Sequence, residues 1–179
     1  MLPASISRRL RAGAAGLFVA AALPLAPIFG PPWISIESPP NPLDSATRDA
    51  YLVVRTYRHK TQTALGVTGT AEGMVKGARR SVPLTFGTTA TSGVYTLRKQ
   101  WTDDGAWLLV INTGGANGGA TALVEVGADG QVASVRVPSR SAERGMRVPV
   151  SVSARDVDAA LASHAARLAP NVAGASGTR

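Results

Sequence analysis

The chain has 179 residues, enough for one compact domain; 45% are apolar and only 17% charged, which excludes wholesale disorder. Cysteine is absent, so disulfides, thiolate metal sites and a cysteine nucleophile are excluded, and two histidines, His59 and His164, leave little material for a catalytic triad. The formal net charge of +8 sits at the ends: residues 31–135 hold nine basic and eight acidic side chains, whereas 1–30 hold three arginines and no acid, and 136–179 seven arginines against three acids. A nucleic-acid domain concentrates cations on a folded face among stacking aromatics, a pattern that is missing here, so no nucleic-acid partner is expected.

The N-terminus has the layout of an export signal. Arg8, Arg9 and Arg11 precede an uncharged run to Pro32, whose stretch from Ala14 to Leu23 has the length of a signal h-region. Ala20 and Ala22 suit cleavage after Ala22. Pro24, Pro27, Pro31 and Pro32 oppose a long straight membrane helix, yet the uncharged run reaches spanning length. The sequence therefore leaves open a cleaved signal and a retained anchor helix over residues 1–32, the latter associating with a membrane through residues 8–30. Either places the remainder outside the cytoplasm, in the periplasm or secreted.

From Trp33 to Pro138, period-two alternation broken by glycine turns marks an all-β domain. Strands are expected at 33–37, 50–57, 67–75, 81–86, 93–100, 106–111, 120–126 and 131–137. Pro83 makes the fourth an edge strand. The nearly continuous apolar run Ala106–Ile111 reads as a central strand covered on both faces. Asn112 to Gly119, with four glycines, reads as a flexible loop, and Asp129-Gly130 as a hairpin turn. Seven to eight strands with regular turn spacing favour an immunoglobulin-like β-sandwich with Trp107 and Tyr95 in its core, a β-barrel being the rival.

Beyond Pro138, residues 139–151 read as a basic linker. Ser153 and Asp156 form an approximate capping box for a short helix over 154–169. Its apolar stripe of Val157, Leu161 and Leu168 is narrow; His164 is expected in solvent, and the tail from Gly174 is expected to be disordered. Residues 139–179 thus read as linker, helix and tail, dispensable to the sandwich.

The residues Gly93-Val94-Tyr95, followed by Trp101 and by Gly105-Ala106-Trp107-Leu108-Leu109-Val110, carry a likeness. The chain from Trp33 to Ile111 resembles the small periplasmic Ig-like domains of the YtkA-like and FixH-like group and, more remotely, CopC-like copper carriers. That resemblance implies an exported or membrane-tethered accessory module, some members being tied to copper handling or oxidase assembly. The copper function does not transfer readily, since His59, Met74 and Met146 are scattered in the sequence.

No catalytic residues are assigned. Asp103 and Asp104, adjacent in a turn, suit backbone capping better than acid–base work, and the glycines at 114–119 lack the Lys-Ser/Thr pair of a phosphate loop. Arg79, Arg80, Arg98 and Lys99 form the candidate partner-binding group: if their strands adjoin, they present cations to an acidic protein or an anionic envelope surface. The same charges also serve simply to keep an edge strand from pairing. No cofactor is expected. The leading expectation is a non-enzymatic exported binding or structural module; the alternative is periplasmic metal (copper) handling through His59 and Met74.

Overall fold

Alternating strands need a partner for each apolar face, and the computed structural model shows how both are supplied. It describes residues 31–114, 119–142 and 145–169. The leader expected over 1–32 lies outside them except for Pro31 and Pro32, as do the centre of the glycine loop and the tail from 170 onward; Asn112 and Thr113, expected in that loop, instead continue the strand before it, pairing with Thr121 and Ala120.

Among the described residues twelve strands precede one helix: β1 Pro32–Glu37, β2 Leu52–Arg58, β3 Thr61–Gln62, β4 Val67–Val75, β5 Ala78–Pro83, β6 Phe86–Thr88, β7 Val94–Leu97, β8 Ala106–Thr113, β9 Ala120–Val126, β10 Val132–Arg136, β11 Ser139–Ser141, β12 Arg147–Pro149 and α1 Ala154–Leu168. One antiparallel sheet runs β1-β2-β7-β6, with β3 paired to β2; the second runs β10-β9-β8-β4-β5; β11 and β12 form a two-stranded ribbon. The chain is thus mostly β with one C-terminal helix, as expected. The count of seven to eight strands was too low.

Two differences account for most of that. The single strand expected over 81–86 is two, because Pro83 ends β5 at the edge of the second sheet and the chain crosses to pair as β6 in the first. Residues 139–151 are not a plain linker: Arg140 pairs opposite Val148 in the ribbon. That ribbon is tied down where Thr121 donates its N–H to the Val150 carbonyl and its hydroxyl oxygen accepts from the Val152 N–H.

The two large sheets share one core. Ile34, Leu52, Val54 and Leu97 from the first meet Leu109, Ile111 and Val124 from the second, all essentially unexposed. Trp107, 3% exposed, fills the end of this core as its sequence position suggested; its Nε1 donates to the Asp104 carbonyl at 2.8 Å. Gly73 lies directly across on β4, where a Cβ would stand 2.5 Å from the indole ring. Tyr95 packs at the core margin with its hydroxyl donating to the Leu65 carbonyl. β8, the middle strand of five, is covered on both faces, as its unbroken apolar run implied: Leu109 and Ile111 face the other sheet, while Leu108 and Val110 cluster with Leu123, Val157 and Leu161 beneath α1.

The helix therefore docks. His164, expected in solvent, is buried at 2% exposure, with Nε2 3.0 Å from the Val126 carbonyl. It completes the i, i+4, i+7 stripe begun by Val157 and Leu161, whereas Leu168 is only half-buried. The capping box forms as expected, Ser153 and Asp156 each satisfying the other's backbone N–H.

Candidate functional site

Adjacent strand residues point to opposite faces, and that rule divides the expected cationic group. Arg79 lies on the outer face of the second sheet, paired to Glu72 at 3.0 Å and to Asp158 on α1. Burial opposes the Glu72 charge, but hydrogen bonds from Ser81, Thr70 and Arg79 outweigh it and hold this carboxyl below its ordinary value. Arg79 is thus a structural tie between sheet and helix. Arg98 is exposed beyond β7, and Lys99 pairs with Asp103. Arg80 turns to the inner side of β5, opposite Gly73, and has no ion-pair partner among the described residues. Of the four, Arg80 lines the cleft described next.

That cleft, about 620 Å³, opens between β5 and the segment 100–104, a size suited to small ligands or a few side chains. Trp101, Trp107 and Val82 supply its apolar wall; Arg80, Lys76 and Asp104 supply its charge. One end is held by Gln100, whose Oε1 accepts from the Thr85 N–H at 2.9 Å while its Nε2 donates to the Thr85 carbonyl at 2.8 Å. This clamp pins the crossover from β5 to β6 against the end of β7. Lys76 occupies the two-residue turn between β4 and β5, where Lys76 and Gly77 have φ of 50° and 77°, the left-handed pair that a type I′ turn demands.

Behind the wall, Tyr51 meets Trp101 edge-on, with ring centroids 5.0 Å apart. Both the Tyr51 hydroxyl and the Trp101 Nε1 are buried without a hydrogen-bond partner among the described residues. Burial, reinforced by the negative charge of Asp129, pushes the Tyr51 phenol up to about 12. Two orphaned donors beside one cleft are unusual, because buried polar groups are ordinarily satisfied.

A second depression of about 710 Å³ lies between α1 and β9–β10. Its charges neutralise each other at close range: Arg167 donates to Glu125 at 2.7 Å, and Glu125 also lies 3.7 Å from His164 Nδ1. Burial disfavours the Glu125 charge, yet Arg167 and Ser134 more than compensate and keep its carboxyl below the usual range. This depression presents a balanced surface, the cleft beneath β5 a mainly cationic one.

His59 and Met74 are not brought together. His59 sits in the turn between β2 and β3 of the first sheet, and Met74 near the far end of β4 in the second. Among the described residues, no three His, Cys, Asp or Glu side chains are arranged to hold a metal ion. Asp103 and Asp104 serve the turn and its neighbours, through Lys99 and the Trp107 indole respectively.

Sequence reasoning missed Trp101, Lys76 and Gln100. Trp101 follows the last regular strand position of β7 and belongs to no alternation, so only the crossover geometry shows that it becomes a wall of the cleft. Comparison with known proteins finds no match to this chain, whether among family models, curated proteins or solved structures.

Proposed function

We propose that this chain is an exported, non-enzymatic binding module of the bacterial cell envelope, built on an Ig-like β-sandwich and engaging an anionic partner at the cleft beneath β5. The strand orders support the Ig-like reading. β1-β2-β7-β6 follows the A-B-E-D adjacency and β9-β8-β4 the G-F-C adjacency, with β5 beside the C position and β10 added beyond G. The basic, apolar and proline-punctuated leader supports export.

The observation that carries the binding reading is Arg80. A guanidinium without an ion-pair partner among the described residues shares the cleft with a second cation and two indoles, on an edge strand whose other arginine is engaged by Glu72 and Asp158. An arginine of this kind binds carboxylates through a planar fork and packs its stem on aromatic surface. The acid of the cleft, Asp104, is held below its ordinary range chiefly by a hydrogen bond from Thr102 and is offset by Lys76. The local field is positive.

Backbone and indole NMR shifts of the full mature chain, titrated with polyglutamate and with polygalacturonate, test the site. Shifts centred on Arg80, Trp101 and Lys76 that vanish in Arg80→Glu are expected. Absence of shifts with both polymers, or shifts confined to the α1–β10 depression, would refute it. Protease accessibility of a C-terminally tagged full chain in spheroplasts tests export separately; protection equal to that of a cytoplasmic marker refutes that half.

A further inference from the structure

β5 is an edge strand, and its register shows which backbone groups it offers. The turn at Lys76-Gly77 makes Val75 and Ala78 the closing pair of a two-residue hairpin, in which closing residues exchange both hydrogen bonds. Alternation then makes Gly73–Arg80 and Ala71–Val82 the next bonded pairs, and continues to Gly69–Leu84, where the Leu84 N–H donates to the Gly69 carbonyl at 2.9 Å. Arg79 and Ser81 fall between these pairs. Their N–H and C=O groups face away from β4, on a strand whose residues are exposed at every position except Val82. Pro83 closes this free edge because it carries no N–H.

Resting on the reading of the cleft as the binding surface, we propose that the partner is an extended acidic peptide segment that adds to β5 as a further strand. Main-chain bonds to Arg79 and Ser81 would hold it, and its alternate side chains on the inner side would meet Arg80 and the Trp101–Val82 wall. The pattern recognised is an acidic residue and an apolar one two positions apart, the apolar one first where the added strand runs antiparallel to β5. Of the inner-facing β5 residues, Arg80 meets the acid and Val82, with the indole beside it, meets the apolar group. Lys76 extends the positive field at the hairpin end.

The charges of β5 also select against the obvious wrong partner. A second copy of this chain pairing edge to edge through β5 would bring Arg80 toward its equivalent, so like-charge repulsion opposes self-association while an acidic strand is attracted. The arginine that guards the edge also specifies who pairs with it.

The test uses the full mature chain and a synthetic peptide repeating Glu-Thr-Val-Thr, which sets glutamate and valine two positions apart on one face. A second peptide of identical sequence carries N-methyl groups on the threonine amides, the ones that would face Arg79 and Ser81; pairing through its other edge would turn glutamate and valine away from the inner side. Two protein variants accompany them. Ser81→Pro removes the outward N–H, and Ser81→Ala removes only the hydroxyl that donates to Glu72; thermal melting checks that each is folded. Strand addition predicts wild-type binding for Ser81→Ala and a loss of about fivefold to tenfold for Ser81→Pro, the worth of one backbone hydrogen bond. It predicts a similar or larger loss for the N-methylated peptide, which keeps the inference testable should Ser81→Pro not fold. Equal binding of both peptides at Arg80, or binding of polygalacturonate with none of the peptide, overturns strand addition and leaves the anionic cleft standing. No binding of either peptide or of the polysaccharide removes both.

Discussion

The two faces of β8 are built from the same kinds of side chain and closed in different ways. On the inner face Trp107, Leu109 and Ile111 meet a second sheet, with core side chains drawn from several strands. On the outer face Leu108 and Val110 meet a single helix through Val157 and Leu161. The inner contact is almost wholly apolar. The outer one is narrow and rimmed by ion pairs: Arg79 to Glu72 and Asp158 at one side, Arg167 to Glu125 at the other. One strand thus belongs to two contacts of unequal strength, and what covers the inner face depends little on pH while what covers the outer face depends on it.

The largest effect expected from breaking this comparison is on the inner face. Trp107→Ala empties the space opposite Gly73 and should cost about 3–5 kcal/mol in denaturant unfolding, with all strands lost together. Gly73→Ala attacks the same contact by overfilling it and should cost about 1–3 kcal/mol, because the new methyl meets the indole ring. A Gly73→Ala protein as stable as the parent would show that the sheets can part there.

On the outer face, Leu161→Ala should cost about 2–3 kcal/mol, toward the low end for a buried leucine because only one helix needs to resettle. Its signature is local. Amide exchange should accelerate through α1 while Leu109 and Ile111 keep their protection. Uniform acceleration across β8 would mean that helix and sheets open as one unit and that the two faces are not separable.

Much of this division was legible in advance. The unbroken run 106–111 announced a doubly covered strand, and Ser153 with Asp156 announced the helix start. What covered the outer face was missed because the stripe Val157, Leu161, Leu168 skips a turn; the residue at i+7 is His164, and a histidine was assigned to water when its Nε2 in fact reaches the Val126 carbonyl. The β11–β12 ribbon was illegible for another reason. Arg140, Arg144 and Arg147 obscure any alternation, and the ribbon is anchored by Thr121 on β9, a contact that no local pattern encodes. The cationic group is divided by period and by topology: Arg79 and Arg80, neighbours in a strand, point to opposite faces, and β5 and β7 lie in different sheets. The cleft that replaced it depends on a crossover between sheets, which joins Thr85 to Gln100 across the fold.

Acid should sharpen the contrast. Glu72 and Glu125 titrate below their ordinary value of 4.5 in the fold, so the stability they supply is present above that value and is lost as pH falls through the folded one. Stability should therefore rise with pH from the acid side up to about pH 5, and this slope should flatten in a Glu72→Gln, Glu125→Gln protein. Exchange at low pH should open α1 ahead of the strands. An unchanged slope in the double variant would move the acid sensitivity elsewhere.

The smallest effect belongs to the helix cap, and it separates docking from helix formation. Ser153 Oγ accepts from the Asp156 N–H at 3.2 Å, and Asp156 Oδ2 accepts from the Ser153 N–H at 3.2 Å and from the Ser153 hydroxyl at 2.7 Å. Ser153→Ala removes the first and last of these and should cost about 1 kcal/mol. Ser153→Asp, which restores a cap acceptor, should recover part of that loss. The side chains of the cap are exposed, so a loss confined to exchange in the first turn of α1 is expected if burial of Val157 and Leu161 holds the helix in place. Should Ser153→Ala instead release the whole helix, the apolar stripe is too narrow to hold α1 unaided. The ion pairs and the cap would then be what keeps the outer face of β8 covered.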